Sequence, residues 1–234
     1  MKIVLLSGAS KGIGKALAIK LANLNYQCIL IARDLEKLNE VAEIAANKGT
    51  RPIIHAGDIS DSKFIDKVIS NTIDQFGKID FVINNAGFGI FGPVSSYSEE
   101  DWDNVYATNV KGTFLLSQKS LPHLIKEKSG HIISIASDVA KRTFGGGSLY
   151  CSSKYAQHAF TEALRKEVRE HGIKVSTVYS GLVDTMFHED PQGHDSHKNW
   201  LTAENMADSI YFIMNQPKHV VIDEFMIHPL EQDY

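Results

Sequence analysis

The sequence predicts an α/β fold, a doubly wound parallel sheet in a single domain, sandwiched between two layers of helix. Three observations predict it. Short runs rich in Val, Ile and Leu alternate with longer amphipathic stretches along the whole chain, the pattern of repeated βα units. The apolar runs are continuous, as strands covered on both faces require. The 234 residues, 43% hydrophobic and 22% charged, suffice for one such core without a disulfide or metal staple.

Lys2–Ser7 reads as the first strand. Its apolar start resembles a secretion signal, but glycines interrupt it at once and no cleavage-like site follows a long apolar stretch. Strands are then expected at Gln27–Ala32, Arg51–Ala56, Ile79–Asn84, Gly130–Ala136 and Lys174–Tyr179, with a last one from Val220–Ile222 toward Ile227. Helices fill the gaps at Gly12–Leu24, Leu35–Asn47, Asp61–Phe76, Glu99–Lys128, Leu149–His171 and Ala203–Asn215. Pro122 lacks an amide hydrogen and is expected to kink or divide the long fourth helix. Ser180–Asn199 is polar, carries Pro191 and Gly193, and has no periodicity, so a loop over a site or a mobile lid is expected there.

Composition excludes several function classes. The net charge is −4, with 24 Lys and Arg dispersed among 28 Asp and Glu, so there is no basic stripe to hold nucleic acid. The longest apolar runs, such as Ile3–Leu6 and Cys28–Ala32, fall far short of the roughly 20 residues that span a bilayer, and no membrane partner is expected. Cys28 and Cys151 suit a reducing cytoplasm better than a disulfide scaffold. His188, His194 and His197, with Glu189, Asp190 and Asp195, invite a metal reading, but their spacing matches no ligand motif; a solvated loop accounts for them and no metal is expected.

Ser7-Gly8-Ala9-Ser10-Lys11-Gly12-Ile13-Gly14 lies between the first strand and first helix, where glycines let a diphosphate approach backbone N–H groups at a helix N-terminus. By itself this spacing is equally a plain strand-to-helix turn. Three more pieces accompany it: Asn84-Asn85-Ala86-Gly87 after the fourth strand, Ser137 ending the fifth, and Tyr150-Cys151-Ser152-Ser153-Lys154 opening the next helix. Together, in this order and with these separations from about Ile3 to Thr185, they resemble the short-chain dehydrogenase/reductase family. The pattern is closest to single-domain members such as 3-oxoacyl-carrier-protein reductases and short 3-hydroxy acid dehydrogenases. Each piece is common; the combination is specific.

The resemblance implies a Rossmann-like fold, a nicotinamide cofactor and a catalytic tetrad of Asn109, Ser137, Tyr150 and Lys154. The chemistry suits these residue types. Hydride delivered to a ketone creates an alkoxide that must be protonated, and a phenol of lowered pKa is a suitable acid. Tyr150 and Lys154, four apart on a helix, share one face. An ammonium about 4 Å from the phenol, at an effective dielectric of ~20, favours phenolate by ~4 kcal/mol before desolvation. Tyr150 is therefore read as the general acid, Ser137 as the hydroxyl that polarises the carbonyl, and Lys154 as the group that lowers the phenol's pKa and holds the nicotinamide ribose. Asn109 is implied to anchor a water linking Lys154 to solvent; a polar core residue that bends its helix is the other reading.

For the cofactor, the resemblance places Gly8, Ser10, Lys11, Gly12, Ile13 and Gly14 at the diphosphate, with Asn85, Ala86 and Gly87 on the adenosine side. Asp58, with Ile59 beside it, would meet the adenine amino group, unless it is a cap or turn aspartate. The carboxylate that an NAD enzyme places at the end of the second strand is absent; Ala32 is followed by Arg33, which with Lys11 suits a 2′-phosphate and hence NADP(H). Asp34 is read as the N-cap of the following helix, with a ribose contact as the alternative. Ser180 replaces the proline usual in the family's Pro-Gly-x-Val-x-Thr run, leaving Val183 and Thr185 to meet the nicotinamide end.

The expected partner is a small-molecule carbonyl or alcohol, with 3-oxoacyl and 3-hydroxy acid compounds both open. The C-terminal Ile227-His228-Pro229-Leu230-Glu231-Gln232-Asp233-Tyr234 lacks the Asp-Gly-Gly ending common in 3-oxoacyl reductases. Phe88, Phe91, Val139, Phe144, Phe187 and Trp200 are candidate apolar walls, and Lys141-Arg142 a candidate site for an acidic tail. The glycine run Gly145-Gly146-Gly147 before Tyr150 suggests backbone freedom. Apolar stripes on Glu99–Lys128 and Leu149–His171 predict a homodimer or homotetramer. A non-catalytic NADP-binding sensor or scaffold is the alternative on the same fold; such proteins generally lose a tetrad member, and all four are present.

Overall fold

The computed structural model describes residues 1–187 and 190–232. Its chain runs β1 (Ile3–Ser7), α1 (Gly12–Asn23), β2 (Gln27–Ala32), α2 (Leu35–Ala46), β3 (Ile53–Ala56), α3 (Ser62–Phe76), β4 (Phe81–Asn84), α4 (Glu99–Tyr106), α5 (Thr113–Glu127), β5 (Gly130–Ile135), α6 (Ser148–Val168), β6 (Ile173–Ser180), β7 (Val183–Asp184), β8 (Leu201–Thr202), α7 (Ala203–Met214) and β9 (Glu224–Ile227). Seven strands form one parallel sheet in the order β3-β2-β1-β4-β5-β6-β9, and β7 pairs with β8 apart from it.

The pleat sorts each strand's apolar residues between two helical layers. Val4, Leu6, Cys28 and Leu30 pack toward α1, α2 and α7 through Leu17, Leu21, Val41 and Ile210. Their neighbours Ile3, Leu5, Ile29 and Ile31 face α3, α5 and α6 through Val68, Leu116, Leu124 and Leu164. A sheet buried on both faces explains why the strand sequences show no polar alternation, and the expected three-layer αβα, Rossmann-like architecture is what the chain adopts. Strand order reverses between β1 and β4, so their carboxyl ends diverge and open the crevice where folds of this kind bind ligands.

Three boundaries differ from the sequence reading. The long fourth helix breaks at a π-helical turn, Ala107–Gly112, while α5 continues through Pro122. Asn109 causes the difference locally: its fully buried side chain bonds outside its own helix, to the Phe88 backbone and Ser153, and the wider turn holds it there. The last strand forms at Glu224–Ile227 rather than at Val220–Ile222, because pairing to β6 begins opposite Thr177. The stretch expected to be an unpatterned loop, 180–199, contains β7 and a short 3₁₀ turn, Asp195–His197. His188 and Glu189 of the metal reading, and Asp233 and Tyr234 of the tail, lie outside the described residues. Among the described residues no three His, Cys, Asp or Glu side chains gather as metal ligands, and both cysteines are buried and unbridged.

Candidate active site

Two cavities adjoin at the carboxyl edge of the sheet, of about 570 Å³ and about 470 Å³. Asn85, Gly87, Ile13, Thr185 and Phe187 line both. The second is the elongated cleft above β1, β2 and β4, walled by Gly8, Ser10, Lys11, Gly12, Arg33, Asp58, Ile59 and Ala86.

Local sequence explains the cleft. Gly8 has φ +66°, and an added Cβ there would sit 2.8 Å from Ala86 Cα; one on Gly14 would lie 2.3 Å from Gly8 O. The turn therefore packs directly on β4 and α1 with backbone facing outward. Asn85 fastens the two sides, its Nδ2 donating to Ser7 O at 3.1 Å and Gly8 O at 3.0 Å, while Ser7 Oγ accepts from the Asn85 and Ala86 amides. α1 starts without a side-chain cap or acidic residue in its first turn, whereas Asp34, Asp61, Ser98 and Thr202 cap α2, α3, α4 and α7. Its first amides are thus free of side-chain competition for an anion.

At the outer end, Arg33 and Lys11 are exposed on the cleft wall with Lys37. Asp34 caps α2 by accepting from the Lys37 amide at 3.0 Å, as the N-cap reading expects. Asp58 accepts from the Ser60 amide and hydroxyl, each at 2.8 Å, so the turn reading describes its first oxygen. Ile59 is buried against Gly112 beneath it.

The first cavity holds the tetrad candidates. β5 delivers Ser137 to its end, and α6 places Tyr150 and Lys154 one turn apart on the same face; all three line the cavity. The Ser137 hydroxyl lies beside the Tyr150 phenol on this wall and donates to Asp138 Oδ1 at 3.1 Å. Lys154 is 4% exposed, with Nζ 5.8 Å from the Tyr150 ring centre. Asn109 stands behind, its Nδ2 donating to Phe88 O and Ser153 Oγ at 2.9 Å and its Oδ1 accepting from the Phe88 amide at 3.0 Å.

Electrostatics here depart from the sequence expectation. Burial pushes the Tyr150 phenol well above its ordinary value; the Ser137 hydroxyl opposes this and the Asp138 charge adds to it. Burial also pushes Lys154 down to about 7, and its Nζ donates to Ile135 O and Gln157 Oε1, both at 3.0 Å.

Sequence reasoning missed three residues. Gln157 is fully buried and holds Lys154; its Nε2 donates to Thr113 Oγ1 at 2.9 Å, and that hydroxyl donates to Asn109 O. An i,i+3 polar partner of Lys154 on a buried helix face was the available signal. Asp138, buried beside Ser137, accepts from Arg142 Nε at 3.0 Å, an i,i+4 pair legible in sequence, and from Gln232 Nε2 at 2.8 Å. Gln232 also accepts from the Leu182 amide, and nothing local announces a contact 94 residues from Asp138.

Other expectations are corrected. Trp200 does not line either cavity: it stacks on His197 at 3.8 Å, and His197 in turn bonds Asp184 at 2.9 Å, which anchors the far half of the expected lid to β7. Phe88 faces the cofactor-like cleft rather than the first cavity. Lys141 is paired with Glu224 at 3.1 Å, away from the cavities. Val183 and Thr185 line the first cavity, and Thr185 the second as well.

Comparison with known proteins agrees with this architecture. A family model for short chain dehydrogenases matches residues 2–194. An "uncharacterized oxidoreductase" of Staphylococcus epidermidis is 35% identical over 229 residues, covering 98% of this chain and 97% of that one. Among solved structures, an alcohol dehydrogenase from the archaeon Thermococcus sibiricus complexed with 5-hydroxy-NADP superposes with a TM-score of 0.93 at 28% identity, covering 100% and 99% of the two chains. The closed form of a serine dehydrogenase complexed with NADP+ gives 0.91 at 26% identity, covering 99% and 96%. With the sheet order, the cavities and these likenesses together, the chain is an oxidoreductase that belongs to the short-chain dehydrogenase/reductase family.

Proposed function

We propose that the protein, as one domain over 1–234, is an NADP-dependent oxidoreductase that interconverts a small-molecule ketone or aldehyde and the corresponding alcohol. The observation that carries this reading is the meeting of Ser137, Tyr150 and Lys154 on one cavity beside a glycine-floored cleft. The cleft fits a dinucleotide phosphate: α1's uncapped first turn suits the diphosphate, and Lys11 and Arg33 flank the place of a 2′-phosphate. Both structural neighbours named above are complexes with NADP or a derivative of it.

Bound there, NADPH supplies a hydride to the carbonyl carbon. Ser137 donates toward the carbonyl oxygen and fixes its place; Tyr150, kept protonated by burial, gives its phenolic proton to that oxygen as the C=O π bond becomes C–H and O–H. Lys154 holds the nicotinamide ribose and stabilises the resulting phenolate, while Asn109 braces the turn behind Lys154 and, in the reading the resemblance supports, a water that restores the proton. Gly87, Asn85, Ala86, Val183 and Thr185 orient the cofactor's two halves.

The resemblance favours a 3-oxoacyl or 3-hydroxy acid substrate, and serine, for which one neighbour is named, is a 3-hydroxy acid. No helix among the described residues is long and apolar enough to cross a membrane. A homodimer or homotetramer in the cytoplasm completes the reading: Trp102, Phe114 and Tyr155 are exposed along α4, α5 and α6, where a second copy would cover them, and unbridged Cys28 and Cys151 suit a reducing compartment.

Steady-state NADPH oxidation by the purified chain with a panel of ketones tests the function. Turnover that depends on the ketone is expected. NADPH binding without turnover of any carbonyl would favour a cofactor-binding sensor or scaffold instead.

A further inference from the structure

The glycine run before Tyr150 does not give the freedom its composition suggests. The Gly92 amide donates to Gly146 O at 2.8 Å, and the Tyr97 hydroxyl lies 2.7 Å from Gly92 O and 2.8 Å from Gly146 O. The loop after β4 is thereby stitched to the loop before α6, and each carries a phenylalanine at the mouth of the first cavity. Phe91 and Phe144 stand with ring centres 6.0 Å apart, tilted 35°. Phe91 meets Tyr150 edge-on at 5.4 Å, and Phe187 meets Phe91 at 6.2 Å and Tyr150 at 5.4 Å.

Glycines make this packing possible. A Cβ on Gly89 would lie 2.6 Å from the Phe91 ring and 3.1 Å from Tyr150, and one on Gly147 would lie 2.5 Å from the Phe144 ring. Yet Phe91 and Phe144 remain 46% and 48% exposed. Two rings are thus held in fixed positions beside the reacting phenol with much of their apolar surface uncovered.

We propose that Phe91, Phe144 and Phe187 form a subsite for an aromatic group attached to the substrate's carbonyl carbon, so that aryl ketones and their secondary alcohols are the preferred substrates. This rests on the carbonyl-reductase reading and sets an aryl ketone ahead of the 3-oxo and 3-hydroxy acids that the resemblance alone favours. A planar ring suits walls that offer faces and edges at the 4.5–7 Å spacing of aromatic pairs. It also sacrifices fewer torsions on binding than an alkyl chain, and the wall is already ordered. A carboxylate suits the same wall badly, because ring faces are negative and water would be stripped from the charge. The cation on this part of the wall, Arg142, has its charge countered by Asp138, which Gln232 also holds.

The test uses the whole chain with NADPH and three probes: 1-phenylethanone, butan-2-one and 3-oxobutanoate. The expected kcat/KM for 1-phenylethanone exceeds each of the others by at least about tenfold, the discrimination an apolar pocket achieves. Phe144→Ala should bring that ratio toward one, and Phe144→Leu, which keeps bulk without the ring, should lower it part of the way. The Leu variant and the wild-type ratio decide the matter if the Ala variant does not fold. Equal or greater efficiency with butan-2-one or 3-oxobutanoate overturns the subsite and leaves the reductase reading standing. If none of the three is reduced, that reading fails with these probes, and dissociation constants in the presence of NADP+ decide the subsite: tighter 1-phenylethanone than butan-2-one supports it, and equal binding overturns it.

Discussion

A lysine that is almost fully buried and meets no carboxylate must find its partners among neutral oxygens, and Lys154 finds two, the Ile135 carbonyl and the Gln157 amide. A hydrogen bond to a charged group is worth ~1.5–3 kcal/mol, or about one to two pH units on the ammonium. Gln157→Leu should therefore move the alkaline limb of kcat/KM for reduction about one unit lower, and Gln157→Glu should move it higher. Coincident pH profiles would show that Gln157 only fills space. Arg33 acts at the other end of the cleft. If Arg33 holds the 2′-phosphate as proposed, Arg33→Ala should raise KM for NADPH about tenfold or more and leave NADH use nearly unchanged; equal efficiency of the wild type with both cofactors would remove that role. Such residues differ in how far sequence exposes them. That Ser137, Tyr150 and Lys154 line one cavity, with the glycine turn on the adjoining cleft, was legible from residue type and order. The direction of the Tyr150 shift was not, because desolvation depends on what covers the ring, and that cover comes from Phe91 and Phe187 in other loops.

Elements follow local rules until a buried polar side chain overrides them. α2, α3, α4 and α7 start at capped positions that sequence announces, while the π turn at Ala107–Gly112 depends on Asn109 reaching Phe88 and Ser153 across the fold, and no helix propensity predicts it. The 3₁₀ turn at Asp195–His197 was likewise hidden, since the Asp184–His197 bond and the Trp200 stack that fix it are tertiary. β5 contains a further buried polar group, His131, bonded to Ser176 on β6 at 2.7 Å. Burial, with Lys174 nearby, pushes its pKa from 6.5 down to about 3. Between those values the unfolded chain binds a proton that the native state does not. Stability from this histidine is thus full above 6.5 and falls as pH drops toward 3, by up to ~1.4 kcal/mol per unit. His131→Gln should be less stable than the wild type at pH 7, with the gap in urea midpoint narrowing on acidification. A gap independent of pH would mean that His131 keeps its proton balance on unfolding.

For the whole molecule, the fold was legible because the central βα units bury their strands on both faces and their helices on one, so hydrophobic period separates strand from helix and points to a parallel sheet; the edge strands β3 and β9 are left partly open. The order β3-β2-β1-β4-β5-β6-β9 then brings the turn after β1 beside the end of β4, and the end of β5 beside the start of α6. What the sequence leaves open is how the C-terminal segment closes on the site, through Gln232 to Asp138 and Leu182, because long-range pairs leave no periodic trace. The exposed Trp102, Phe114 and Tyr155 should be covered in solution. Light scattering at micromolar concentration should give a dimer or tetramer mass, and a monomer mass would show that these side chains face solvent. In the proposed reaction Tyr150 protonates the oxygen of a carbonyl that NADPH reduces. Its most direct test is kcat for ketone-dependent NADPH oxidation in the wild type and Tyr150→Phe, with the NADPH dissociation constant measured on both. A phenyl ring preserves the packing and removes only the proton donor, so kcat should fall by about a hundredfold or more while NADPH binds with unchanged affinity; a kcat within a few fold of the wild type would contradict the assignment.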